Sequence, residues 1–503
     1  MPHNIFSKIF LKAFDASVKS NPQAQMLLSR RKFLRNTALA GAGMALVPSL
    51  LHAKKTDDKK GIVIVGAGIA GLNAAYQLKK LGYPSTLYEA ASRVGGRMFT
   101  LTDYFGEGLT TDIGGEFVDE NHEDLIQLAK ELNVECYDLR SDKLQKETLF
   151  FEGKLRSEEE LMEAIKPFIE QIVKDIASLP EELTYRTAAS FAQLDSQSVK
   201  EYITTLGVSG WLYGFIDLVL SREYGMDIEE QSALNLLIML DKNGQFYEGH
   251  EVYKIKGGSQ HLAEAVYQKV KDSVKLQHEL TAVKQNFDLY ELCFSNNNNA
   301  VKVTADFVIL ALPFTVLRSI QMDVPMPAEK RKCIDEFTLG NSSKFIKGTG
   351  ERPWRNNNQQ GYTFTDEKLG CGWDSAHMQP YRNGSYTVFG GGKSSDEIFN
   401  KEAAELSNDF TTGINKIFPG SEKIFSDRHV KMCWAKQPFA KGGYTSFKKG
   451  QYSTIAGWEA APVGNIFFAG EHVSGPFQGF MNGAAQTGRF AAAAVATKIK
   501  KEK

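Results

Sequence analysis

The sequence predicts an α/β protein in which a doubly wound unit is interleaved with a mixed α+β domain, and three observations predict it. An apolar run, residues 62–65, is followed by Gly66, Gly68 and Gly71 at GxGxxG spacing and then by a helical stretch, residues 72–81. Nearly 400 residues later, Phe467-Phe468-Ala469-Gly470-Glu471 reads as another buried strand ending in a small turn and an acid. Between them, strand character returns near residues 274–311, so the chain leaves one unit and re-enters it instead of completing two in succession.

The first 53 residues read as a targeting region that is not part of the fold. Ser29-Arg30-Arg31-Lys32-Phe33-Leu34-Arg35 matches a twin-arginine export signal, and residues 37–51 supply a weakly apolar stretch softened by Gly41, Gly43 and Pro48. That stretch falls short of the roughly 20 residues a membrane span needs. Cleavage after Ala53, use of the twin-arginine translocation machinery and a periplasmic or otherwise exported location are expected. The leader ahead of the arginines interleaves Ile5, Phe6, Ile9, Phe10 and Phe14 with Lys8 and Lys12, as an amphipathic extension would; a start at Met26 is the alternative.

Residues 60–130 open the cofactor unit. In a strand-glycine-helix turn the first glycine permits the tight turn, the second lets backbone approach a pyrophosphate, and the third lets helix pack on strand. The helix presents its N-terminus to the phosphates. After Gly82-Tyr83-Pro84, a strand at residues 86–88 ends in Glu89, placed to accept hydrogen bonds from a ribose hydroxyl. This is a Rossmann-like dinucleotide site.

Residues 131–250 and 313–445 are expected to form the outer, substrate-side domain, and 251–312 and 446–503 to return to the cofactor domain. Residues 144–245 read as mostly helix, with apolar residues at helical spacing in 161–176 and 208–220. After Lys256-Gly257-Gly258-Ser259 come a helix at 260–270 and strands, with the polar run 296–299 suited to a hairpin tip.

Composition excludes several classes. A chain of 503 residues with 42% hydrophobic content can bury a large core, and a net charge of −1 gives no basic face for nucleic acid. Cys136, Cys293, Cys333, Cys371 and Cys433 are odd in number, scattered and without CxxC spacing, so neither a disulfide framework nor a metal site is indicated.

Beyond Glu89, Ala90-Ala91-Ser92-Arg93-Val94-Gly95-Gly96-Arg97 resembles the second signature of the flavin-containing monoamine and polyamine oxidases. The resemblance covers nearly the whole chain after the leader. LPFTVLR at 312–318, the segment 339–344 ending in Lys344, Pro353-Trp354, the segment 434–444 ending in Tyr444, and Phe467 to Ala494 all resemble family motifs. It implies bound FAD, held at Gly66, Gly68, Ile69, Ala70, Gly71, Glu89, Ala90, Arg93, Arg97, Gly114, Gly115, Leu280, Glu471 and Met481. It also implies that Lys344 lies near the flavin, helping dioxygen accept electrons, and that Tyr444 and Phe480 form an aromatic cage that guides a neutral amine. The implied reaction removes hydride from the carbon beside the amine, gives an aldehyde after imine hydrolysis, and yields hydrogen peroxide from O2.

Three departures from the family sharpen that picture. Gly443 stands where covalently flavinylated relatives carry cysteine, so FAD is expected to be noncovalent. Phe480 stands where many relatives carry Tyr or Trp. Glu116 and Phe117 stand where L-amino acid oxidases carry a Met-Arg pair that clamps the substrate carboxylate, so a small-molecule amine lacking that group is expected. Glu116 and Asp119, with Glu120, are then candidates to select a diamine or polyamine. The alternatives are an L-amino acid oxidase or tryptophan 2-monooxygenase-like enzyme, with an arginine such as Arg222 replacing the clamp, and a non-catalytic flavin-binding redox protein.

Overall fold

The computed structural model describes residues 5–20, 60–144, 146–240 and 251–502; the twin-arginine stretch lies outside them. A five-stranded parallel sheet runs in the order Val274–Lys275, Thr86–Tyr88, Ile62–Val65, Phe307–Leu310, Ile466–Phe468. Its strands are apolar on both faces because both faces are covered. Ile62, Ile64, Phe307 and Ile309 enter the core beneath the helices, while Val63, Val65, Val308 and Leu310 enter the other core.

Three helices cover the first face. Helix Ile69–Lys80 packs between Met481–Lys501 and Ser259–Val270. Small residues let the first pair approach: a Cβ on Gly488 would come within 2.2 Å of the Ala70 carbonyl oxygen. Asn73 Nδ2 donates to the Ala485 carbonyl at 2.7 Å across the same contact. The other face carries a sheet of Asn299–Ala305, Leu289–Asn296, Glu279–Asn286 and Gln321–Asp323. Asn297 and Asn298 turn its hairpin with positive φ, a conformation asparagine tolerates. Strand Gln321–Asp323 pairs in parallel with Glu279–Asn286, so the chain continues in this unit beyond the expected boundary at 312.

The outer domain is built on a seven-stranded sheet in the order Phe425–Cys433, Ser342–Thr349, Gly384–Gly391, Cys371–Asp374, Gln359–Thr365, Lys146–Phe151, Lys154–Arg156. Its strand Ser342–Thr349 is buried along its full length. Residues 146–156 therefore open the expected helical block as two strands, which the alternation in KETLFF permits. Helices follow at Glu158–Ile165, Ile169–Ser178, Val199–Thr205, Gly210–Glu223 and Ala233–Leu240. The first begins with a capping box between Ser157 and Glu160.

The leader corrects the sequence reading. Residues Ile5–Ser20 form a helix packed on Glu158–Ile165 and Ile169–Ser178. Ile9, Phe10, Ala13 and Phe14 are buried in the main core, while Lys8 and Lys12 reach Glu158. Apolar side chains at helical spacing dock on a helical block that has an apolar face to cover. Phe10→Ala is expected to cost about 3 kcal/mol of stability, read by denaturant unfolding; an unchanged midpoint would show that the helix contributes nothing to the fold.

An ionisable pair is buried where the outer domain meets the parallel sheet. Lys330 Nζ donates to the carbonyls of Trp458 and Glu459 at 2.8 and 2.7 Å and lies 3.7 Å from the Phe468 ring centroid. Burial lowers the lysine to about 8 and raises the Glu459 carboxyl to about 7. From its ordinary range up to about 7, the folded chain keeps the Glu459 proton after the unfolded chain has lost it, so this stabilisation disappears as pH rises. Glu459→Gln should therefore gain stability relative to the native chain between about pH 5 and 7.5, by about 3 kcal/mol. A pH-independent difference in melting temperature would contradict this.

Candidate active site

The two ends of the chain meet at one ion pair. Arg97 Nη1 donates to Glu471 Oε1 at 2.9 Å and to the Gly443 carbonyl. Glu471 Oε2 accepts from Thr445 Oγ1 at 2.8 Å and from the Gly479 amide at 2.6 Å, which ties the N-terminal arginine to the start of the last helix. The pair closes a cavity of about 770 Å³ along the ends of the parallel strands.

One end of this cavity is made of backbone. Gly66 turns with φ 101°, and a Cβ on Gly71 would lie 1.9 Å from the Gly66 carbonyl oxygen. Gly71 therefore seats the helix on the strand and does not line the cavity. Gly68, the N-cap of Ile69–Lys80, faces open space. Glu89 accepts from the Ala67 amide at 2.6 Å and the Ala91 amide at 2.8 Å, which braces the glycine loop. Burial pushes its carboxyl up against the pull of those amides. Arg93 is stacked 4.0 Å from the centroid of Phe99 and donates to the Gly96 carbonyl at 2.6 Å.

Gly66, Gly68, Ile69, Ala70, Glu89, Ala90, Arg93, Arg97, Gly114, Gly115, Leu280, Glu471 and Met481 all line the cavity. A Cβ on Gly114 would lie 1.9 Å from the Arg97 carbonyl oxygen, and one on Gly115 would lie 3.0 Å from Met481 Sδ. A long ligand with a diphosphate, a ribose and a flat ring fits this cradle: side-chain-free backbone at a helix N-terminus, an acid, and a second helix N-terminus at Met481.

The other end holds the expected reacting groups. Lys344, on the buried strand Ser342–Thr349, donates Nζ to the carbonyls of Asp112 and Gly114, each at 2.9 Å, and to Glu116 Oε2 at 2.8 Å. Tyr444 lines the cavity and donates its hydroxyl to the Arg222 carbonyl; burial raises that phenol well above its ordinary range. Phe480 lines the cavity and packs 5.0 Å from the His122 ring. Phe117 sets its edge to Trp373 at 5.7 Å.

The acidic loop is arranged differently from the expectation. Glu116 is buried and accepts from Lys344, from Lys254 Nζ at 2.7 Å and from Trp373 Nε1 at 3.1 Å, so it braces the site instead of facing a distal ammonium. Asp119 is wholly buried and absent from the cavity lining. Asp119 pairs with Glu251 across a register shift in Glu251–Ile255, and its carboxylate lies 3.7 Å from His122 Nε2 in the following turn. Glu120 is exposed on the Arg140 side. Arg222 does not line the cavity; its Nη1 donates to the Leu218 carbonyl at 3.3 Å.

Glu223 and Glu251 line the substrate end beside Glu116, with Trp373 and Phe389 as further aromatic walls. None of Glu223, Glu251, Trp373 and Phe389 was legible as a site residue, because each reaches the cavity from a helix end or a separate strand with no local motif. Lys254 stands directly across from Phe117 in the strand pair and reaches Glu116 only through that pairing, so no local signal marks it.

Fold and site together define a dinucleotide-cofactor oxidoreductase with a lysine and aromatic rings at its reacting end. A sequence model of the flavin-containing amine oxidoreductases matches residues 69–496, and the chain belongs to that family. FAD is its cofactor and amines are its substrates. An L-amino-acid oxidase of Pseudechis australis is 24% identical over 453 residues, covering 84% of each chain. Cyclohexylamine oxidase from Brevibacterium oxydans superposes with a TM-score of 0.78 at 21% identity, over 88% of this chain and all of that one. Putrescine oxidase bound to putrescine gives 0.76 at 21%, over 87% and 99%.

Arg97→Ala removes the bridge between the two halves and leaves Glu471 buried without it. FAD affinity is expected to fall about thirtyfold, as loss of a charged hydrogen bond worth about 2 kcal/mol implies. The ratio of flavin to protein absorbance after gel filtration measures this, and a native ratio would refute the bridging role.

Proposed function

We propose that this enzyme oxidises an amine without an α-carboxylate. The observation that carries the reading is the placement of guanidinium groups. Among the described residues lining the cavity the only arginines are Arg93 and Arg97, and both are committed to carbonyls and Glu471 at the cofactor end. A carboxylate beside the amine would meet Phe117, Glu223 and Glu251 instead of a guanidinium clamp, and the Lys344 ammonium there is already committed to Glu116 and two carbonyls. The same two acids favour a substrate with a second, remote positive charge, such as a diamine or polyamine.

FAD, when bound, accepts the hydride from the carbon beside the nitrogen and passes the electron pair to O2, so the products are an imine, hydrolysed to an aldehyde, and hydrogen peroxide. The protein's part is positional and electrostatic. Tyr444, Phe480 and Phe117 supply apolar walls that orient the amine and favour its neutral form, whose lone pair assists hydride loss. Lys344 holds positive charge beside the place where negative charge develops. Gly443 leaves no thiol at the family's attachment position, and no cysteine is present among the described lining residues, which supports noncovalent FAD. The Ser29-Arg30-Arg31-Lys32-Phe33-Leu34-Arg35 stretch supports twin-arginine export of the folded holoenzyme.

The second reading is an L-amino acid oxidase, favoured by the names of the sequence relatives. Anaerobic mixing separates the two: putrescine, cyclohexylamine or benzylamine should bleach the flavin absorbance at least tenfold faster than L-phenylalanine or L-lysine. The reverse order would establish the amino acid oxidase, and no bleaching by any of them would point to a non-catalytic flavoprotein.

A further inference from the structure

Glu116 is shared by two buried lysines, one facing the cavity and one behind it. Its Oε2 takes Lys344 at 2.8 Å and Trp373 Nε1 at 3.1 Å, and its Oε1 takes Lys254 at 2.7 Å. The side chains of Glu116, Lys254 and Lys344 are 2%, 6% and 7% exposed, so water screens none of these charges. Lys254 also donates to the Ser375 carbonyl at 2.8 Å, and its Nζ stands 5.5 Å from the Phe117 ring centroid.

The neighbouring acid, Asp112, directs its carboxylate elsewhere. Its Oδ1 accepts from Thr100 Oγ1 at 2.6 Å and from the amide and hydroxyl of Ser259 at 2.9 and 3.1 Å. Burial and then Glu116 push that carboxyl up, toward its uncharged form.

A lysine paired with one buried carboxylate is electrically neutral as a unit and gives little to a centre that gains negative charge. A second ammonium on the same carboxylate changes the balance: two positive groups now share one negative group. Burial alone would raise the Glu116 carboxyl, yet Lys254 and Lys344 together hold it below its ordinary range.

We infer that Lys254 is a positioning residue for the oxidase reaction: by occupying half of Glu116 it leaves a net positive charge at Lys344, while Glu116 and the Asp112 and Gly114 carbonyls hold the Lys344 Nζ in place. The inference rests on the flavin amine oxidase reading, in which Lys344 faces the flavin. Glu116 then has an opposing electrostatic effect, since its charge subtracts from that of the lysines it orders.

The test is the midpoint potential of the bound FAD, measured on the holoenzyme by reduction in equilibrium with a redox dye. Lys254→Met should lower the potential and Glu116→Gln should raise it, each by about tenfold in the reduction equilibrium, or roughly 30 mV for two electrons. The double variant should return close to the native value, and Lys254→Arg should not move it. Shifts of the same sign in both single variants, or a native potential in Lys254→Met, would overturn the inference. Should Glu116→Gln fail to retain FAD, the contrast of Lys254→Met with Lys254→Arg decides alone: equal potentials in those two variants refute the charge role. The dye reduces FAD whether or not any amine does, so failure here is distinct from failure of the substrate reading.

Discussion

Arg97 and Glu471 meet at 2.9 Å across 374 residues of chain, and the cavity depends on that contact. A parallel sheet gathers its ligand site at the carboxyl ends of its strands, and here those strands come from distant stretches: Ile62–Val65 and Thr86–Tyr88 near one end, Val274–Lys275 and Phe307–Leu310 in the middle, Ile466–Phe468 near the other. The outer domain is inserted between them. Because Arg97 also reaches the Gly443 carbonyl, the same guanidinium joins the last loop of the insertion to both ends. A partly buried pair of this kind organises a site more than it stabilises a fold.

A second buried charge system governs the reacting end. Lys344 sits on a strand whose every residue is buried, so its ammonium must find acceptors inside the protein. Two carbonyls and Glu116 supply them, and Lys254 keeps Glu116 from cancelling the charge they hold. The aromatic walls exclude water, which raises the strength of each of these interactions. The proposed specificity rests on the same distribution of charge: the lining guanidinium groups are held at the cofactor end, while Glu223 and Glu251 line the other end.

How much of this was legible in the sequence varies with the range of the forces involved. The glycines at 66, 68 and 71 and the acid at 89 are a local pattern, since turn, helix N-terminus and strand lie within about thirty residues, and they could be read directly. The polar turn at 296–299 is equally local. Glu116 is visible in the sequence as an unusual acid, but its lysine partners are not, because they arrive from strands 138 and 228 residues away. Asp119 is turned into the interior beside His122, a contact that the strand's own alternation does not show. The stretch Ile5–Ser20 reads in the sequence as an amphipathic extension of a leader, and nothing in its own residues reveals the apolar face on which it docks.

The sequence by itself determined the class of fold and the glycine cradle for the cofactor, because those depend on backbone conformation and short motifs, and its resemblance to the flavin amine oxidases made Lys344, Tyr444 and Phe480 candidates. Only the tertiary structure decided which charges oppose one another: Arg97 with Glu471, and Lys254 and Lys344 with Glu116. Electrostatic pairing in a buried site is set by separations of about 3 Å between atoms, and chain spacing does not encode those separations until the strands have found their register.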